Sequence, residues 1–230
     1  MAIVKKYRSK VVSIINPIKD LYTLEFESLD GPFKYSPGQF LHLAIDADYD
    51  GTGQWPESRC FSMQSSPMED NLRITYSVKG FFTNQLKNTL KIGDVVWLKL
   101  PYGELFNSNH SKVNTVFIAG GTGVSPFLSL FNNIAFDSYI NPIILIGFRS
   151  KKYNIFDADL SKVRKSKNAT LQIFYEDEIG LIDLNMIPGH FSSNQSIFIS
   201  GPPAMINFYL NQLVSNGVDK LQIITDNWSY

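Results

Sequence analysis

Apolar and polar positions follow two different periods along the 230-residue chain. In the first half the apolar runs are short and bounded by turn residues. Residues 21–26 (LYTLEF) alternate apolar and polar, which points to a strand buried on one face. Similar β-branched and aromatic runs occupy 3–15, 38–43, 59–63, 72–78 and 95–100, and the Asn16-Pro17 pair is expected to end the first. Residues 46–57, with Gly51, Gly53 and Pro56, read as a long loop, and 82–90 as one interrupting helix. Many short strands with turns between them predict a barrel or sandwich. After a polar stretch at 106–112 (FNSNHSK) the period changes. Continuous apolar runs at 113–119 and 143–147 fit strands buried on both faces, and 169–175, 196–200 and 221–225 add three more. Segments 126–136, 155–163 and 203–215 have helical spacing. Strands alternating with helices predict a doubly wound parallel sheet. The expected organisation is a β domain over 1–108 followed by an α/β domain over 109–230.

Charge and cysteine usage narrow the chemistry. Lys plus Arg and Asp plus Glu are both 21, so the basic excess of a nucleic-acid binder is missing. Cys60 is the only cysteine, so these residues hold neither an internal disulfide nor a four-cysteine iron–sulfur cluster. His42, His110 and His190 are scattered without ligand spacing, and no metal is expected. Residues 1–10 contain no apolar leader run, and no stretch approaches the length of a membrane span, so a cytoplasmic location is expected. Aromatic residues make up 13%, enough to supply flat surfaces for a flat cofactor as well as a core.

The strongest local signal is Ala119-Gly120-Gly121-Thr122-Gly123-Val124-Ser125-Pro126, between a buried strand and a helix. Glycines permit positive φ and let a phosphate approach the backbone. Ser125 is expected to cap the helix, and Pro126 suits a first-turn position. The free N–H groups of such a turn favour an anionic pyrophosphate. The loop departs from the usual G-x-G-x-x-G, because Pro126 stands at the third glycine and Arg149 replaces the acidic residue that closes the second strand.

Four further segments accompany it in order: Arg59-Cys60-Phe61-Ser62, Gly80-Phe81-Phe82-Thr83, Gly93-Asp94 through Pro101-Tyr102-Gly103-Glu104-Leu105-Phe106, and Ser200-Gly201-Pro202-Pro203-Ala204-Met205. Pro37-Gly38-Gln39-Phe40 belongs to the same scaffold as the third, and Asp226-Asn227-Trp228 follows the last. Joined in this order, these motifs resemble the ferredoxin–NADP reductase superfamily over nearly the whole chain. The resemblance implies an antiparallel β-barrel flavin domain before the nucleotide-binding α/β domain. It implies that Arg59 pairs with a flavin phosphate, that Ser62 lies near flavin N5, and that Phe61 packs along the ring in place of the family's tyrosine, without its phenol hydrogen bond. Cys60, Val78, Gly80, Phe82 and Thr83 complete the implied flavin contacts, with Trp228 over the flavin face. For the nicotinamide dinucleotide the implied set is Gly121, Thr122, Gly123, Pro126, Arg149, Gly201, Pro202 and Met205. Ser200 stands where the family has cysteine, and Asp226 where it has glutamate; with Ser62 they are the implied catalytic residues.

The function so implied is an oxidoreductase that moves a hydride between NAD(P)H and FAD, rather than FMN, and electrons between FAD and a carrier such as ferredoxin or flavodoxin. Two alternatives stay open. One is the reductase component of an oxygenase, or a free-flavin reductase. The other is a non-catalytic flavin- or nucleotide-binding subunit of a complex. Arg149, Lys151 and Lys152 favour a 2′-phosphate while Glu176-Asp177-Glu178 oppose one, so NADH and NADPH also both remain open.

Overall fold

The computed structural model describes residues 3–187 and 195–226. Six strands build the first sheet: β1 (Lys5–Ile18), β2 (Leu21–Ser28), β3 (Phe40–Ala44), β4 (Ser58–Ser62), β5 (Leu72–Ser77) and β6 (Val95–Tyr102). Their order is β4-β3-β6-β1-β2-β5, and every pairing is antiparallel. The two outer strands then meet. Just past β4, the Gln64 N–H donates to Arg73 O on β5 at 2.8 Å, and the Arg73 N–H donates to Ser65 Oγ at 2.9 Å, which closes the sheet into a barrel. Inward positions such as Val11, Leu24, Phe26, Leu41, Leu43, Ile74 and Leu98 form its core. One helix, α1 (Phe81–Thr89), buries Phe82 and Leu86 against that core.

Five parallel strands build the second sheet: β7 (Val116–Gly120), β8 (Ile143–Phe148), β9 (Thr170–Tyr175), β10 (Ile197–Ser200) and β11 (Ile223–Thr225), in the order β11-β10-β7-β8-β9. Alternation along them serves two cores. Phe117, Ala119, Ile144, Ile146 and Phe198 face α2 (Ser125–Phe131) and α3 (Ser161–Lys165). Val116, Ile118, Leu145, Ile197 and Ile199 face α5 (Pro203–Ser215). A short α4 (Glu176–Ile179) follows β9. Helices on both faces explain why these strands read as continuous apolar runs. Leu105 and Phe106 already belong to the second core: Phe106 packs 5.0 Å from Phe198, while its ring also fills the space beside Gly38 on the barrel. Among the described residues no helix is long and apolar enough to cross a membrane.

Several local expectations need correction. β1 does not stop at Asn16-Pro17 but continues to Ile18 through a register shift. Proline is tolerated there because it falls in that irregularity, between the paired Ile15 and Ile18, where Asn16 Nδ2 also donates to Ile18 O and Leu21 O at 2.7 and 2.8 Å. The helix expected over 126–136 ends at Phe131, where Asn133 accepts from the Ala135 N–H and starts a separate 3-10 turn. In place of the helix expected over 155–163 there is a turn at 157–160 followed by the short α3 at Ser161–Lys165; Asp157 and Asp159 pair with Arg164 and Arg73. Ser125 is not the cap of α2: Val124 takes that position, and Ser125 Oγ is buried without a hydrogen-bond partner.

Candidate active site

β7 lies at the centre of the second sheet; the chain runs from it to β8 and β9 on one side and then crosses to β10 and β11 on the other. The carboxyl ends of β7 and β10 therefore form a topological switch point, the usual ligand crevice of an open α/β sheet. Both glycine segments of the sequence end there. The first becomes a 3-10 turn over Gly121–Val124, leading into α2, and the second forms the turn between β10 and α5. They touch backbone to backbone: a Cβ on Gly123 would lie 2.5 Å from Gly201 Cα and 2.6 Å from Ser200 O. Met205 Sδ covers Gly120 on one side, and Pro202 caps α5 on the exposed side. Gly121, at φ +54°, faces open space, with half-buried Thr122 next to it. Pro126 is buried at the start of α2.

Ser200 is buried, and its hydroxyl donates to Asp226 Oδ2 at 3.0 Å. The Asp226 N–H in turn donates to Ile199 O at 2.9 Å. The serine and the aspartate thus form one unit at the end of β10, and the hydroxyl orients the shorter acid. Trp228 lies outside the described residues, as does His190.

On the barrel, β4 carries Arg59 and Phe61 toward one face and Cys60 and Ser62 toward the other. Arg59 is half-exposed, pairs with Glu57 at 3.0 Å and lies 5.3 Å over the Phe82 ring. This contact brings the arginine motif to the first turn of α1. Gly80 caps α1 in an extended conformation, with open space where a side chain would be. Thr83 does not project away from the turn: its Oγ1 accepts from the Lys79 and Gly80 N–H groups at 2.9 and 3.1 Å. What the turn presents outward is backbone N–H, as every helix start does. Phe61 packs edge-on to Tyr76 at 5.8 Å, and Val78 is fixed by its N–H to Asp20 O at 2.9 Å.

Cys60 lies opposite His42 on β3, with Sγ 3.4 Å from Nε2. Burial first, and the nearby Lys99 second, push the His42 pKa below its usual 6.5. Arg149 follows β8 as an exposed cation, and its carbonyl accepts from the Asp177 N–H at 3.3 Å. Arg149 and the acidic segment 176–178 are thus neighbours.

Sequence reasoning missed the polar run that follows β4. Gln64, Ser65 and Ser66 are at most 3% exposed, and they bond across to α2 and to Asp159. A polar QSS triplet carries no periodic signal, so only the three-dimensional contacts reveal it.

Residues 117–211 match the family described as the oxidoreductase NAD-binding domain. The chain is 26% identical, over 98% of its length, to the reductase component of propane 2-monooxygenase from Mycolicibacterium goodii. It is 23% identical, over 89% of its length, to flavohemoprotein A of Dictyostelium discoideum. A solved flavohemoglobin from Malassezia yamatoensis, with bound FAD and heme, superposes over 97% of the chain with a TM-score of 0.82 and 22% identity. Over nearly its whole length the chain is similar to these proteins in sequence and in fold, and residues 117–211 carry the family match. It spans 68% of the monooxygenase reductase, 55% of the flavohemoprotein and 60% of the solved flavohemoglobin. Within this two-sheet fold, the motif residues described here fall into two groups. Arg59, Phe82 and Gly80 gather on the barrel, and Gly121, Gly123, Ser200, Gly201 and Asp226 gather at the switch point.

Proposed function

We propose that this chain is a flavin-dependent NAD(P)H oxidoreductase that passes electrons from bound FAD to a separate carrier protein. The observation that carries the reading is the meeting of Gly123 and Gly201 at the β7–β10 switch point, beside the open turn at Gly121. A dinucleotide pyrophosphate needs a side-chain-free backbone approach at that place, and the site fits it. The barrel fits a flavin phosphate in the same way: Gly80 leaves the α1 turn open, and Arg59 supplies a cation beside it. FAD rather than FMN follows the flavin of the solved flavohemoglobin. We place the domain division at residues 108 and 109.

In this reading Arg59 and the leading amides of α1 hold the flavin phosphates, with Phe61, Cys60, Val78 and Phe82 shaping the pocket. Gly121, Thr122, Gly123 and Pro126 seat the dinucleotide, and Gly201, Pro202 and Met205 form the floor for its reacting end. Ser62 and the Ser200–Asp226 pair supply hydroxyl and carboxylate at the reacting centre. A flavin held there would supply the capacity to take a hydride from a nicotinamide and to release electrons singly or in pairs.

A carrier such as ferredoxin or flavodoxin is one acceptor class. The monooxygenase reductase among the relatives supports an oxygenase component as a second. The deciding experiment is anaerobic rapid mixing of the purified flavoprotein with NADH, then with NADPH, while flavin absorbance is followed. Fast bleaching with one of them supports the reading and fixes the nucleotide. Bound flavin that neither nucleotide reduces favours a non-catalytic subunit, and absence of flavin binding rejects the reading.

A further inference from the structure

We infer that Gln64, Arg73, Asp159 and Ser129 form a polar clamp that sets the position of the nucleotide turn relative to the flavin strand, and that they act as positioning residues for the reaction. The inference rests on the function proposed above. Buried polar groups must be hydrogen-bonded, and the Gln64–Ser66 run meets that demand across the junction of the two sheets. Gln64 Nε2 donates to Asp159 Oδ2 at 3.1 Å, and Arg73 Nη1 donates to Asp159 Oδ1 at 3.1 Å. Ser129 Oγ donates to Ser65 O at 2.7 Å, and Asn133 Nδ2 donates to Ser66 Oγ at 3.1 Å. The barrel side is itself braced. Thr75 Oγ1 donates to Gln64 Oε1, Tyr35 OH meets Ser65 Oγ at 2.9 Å, and Glu69 holds the other face of the Arg73 guanidinium at 2.9 Å. Burial would lower the Arg73 pKa, but Asp159 and Glu69 outweigh it and raise the value, so the guanidinium stays charged.

Chain positions give the clamp its leverage. Ser65 follows Ser62 by three residues, at the end of the strand that carries the flavin motif. Ser129 and Asn133 lie one helical turn apart, at and just past the end of α2, the helix that the glycine turn opens. A rigid helix and a short strand exit thus connect the clamp to both halves of the site. Directional polar bonds admit one relative orientation where an apolar contact of the same area would permit sliding.

The test uses the full chain with its flavin. Asp159→Asn and Ser129→Ala are mixed anaerobically with each nucleotide, and amide hydrogen exchange is followed on the same proteins without nucleotide. Because small misplacements of reacting groups are costly, the limiting rate of flavin reduction is expected to fall about tenfold, with half-saturating nucleotide changed by less than about twofold. Asp159→Glu recovers part of the rate. Exchange rises in 63–66 and 128–133 while β1 and β7 stay protected. An unchanged limiting rate in both variants overturns the inference, as does a loss seen only in half-saturation. If neither nucleotide reduces the flavin of the parent protein, the proposed function fails instead. The exchange measurement then decides the clamp by itself: selective loosening of those two segments upholds it, and unchanged exchange overturns it.

Discussion

Gly80 and Gly123 are both turn glycines that the sequence singles out, and the structure separates their reasons. A side chain at Gly123 would run into the backbone of Gly201 and Ser200, which has no soft atom to yield. Gly123→Ala is therefore expected to destabilise the fold by about 1–3 kcal/mol, read from the midpoint of urea unfolding. At Gly80 a side chain meets nothing within 4 Å, and φ is −153°, which any residue adopts. Gly80→Ala is expected to change stability by less than about 0.5 kcal/mol, yet to lower flavin occupancy, because the methyl group stands where a phosphate would approach. Equal stability losses in the two variants would show that the distinction is wrong. The motif was legible in the residues, but the identity of the group that needs the space was not. The same holds for Thr83, whose hydroxyl serves its own helix start instead of facing outward.

Strands were easier to read than helices, for a physical reason. Alternation in β2 and the continuous apolar run of β8 report burial directly, and those strands lie within a few residues of their expected bounds. Residues 126–136 and 155–163 have helical spacing too, but Asn133 caps a new turn through a local bond to Ala135, and Asp159 bonds to Arg73 on the barrel. The second is a tertiary contact, which a local pattern does not contain. The pairing of β3 with β4 has its own consequence. His42 titrates below its usual 6.5 in the folded state because burial and Lys99 oppose its charge. The unfolded chain then binds the proton more readily, so stability is full above about 6.5 and is lost as pH falls through the folded value. His42→Asn is expected to lose less thermal stability than the parent between about pH 8 and about pH 5. Parallel melting curves over that range would count against the assignment.

At the scale of the molecule, the change of period near residue 106 separated the antiparallel sheet from the parallel one, and the sheets obey it. What no single stretch of sequence displayed was the junction, because it is made of residues from four distant segments. The change in composition and the change in packing also fall at different places. Leu105 and Phe106 precede the proposed division at 108 and 109, yet Phe106 sits among Phe117, Phe127 and Phe198. For anyone cutting the chain into pieces, the joint behaves as a dovetail. A fragment starting at 109 leaves its plug on the other piece and bares an aromatic socket, so it is expected to elute as aggregate in gel filtration. A fragment starting at 103 keeps the plug and is expected to run as a single species. The two halves are covalent neighbours, but they are also each other's stopper, and neither can be redesigned as a free-standing module without first supplying what the other lends it.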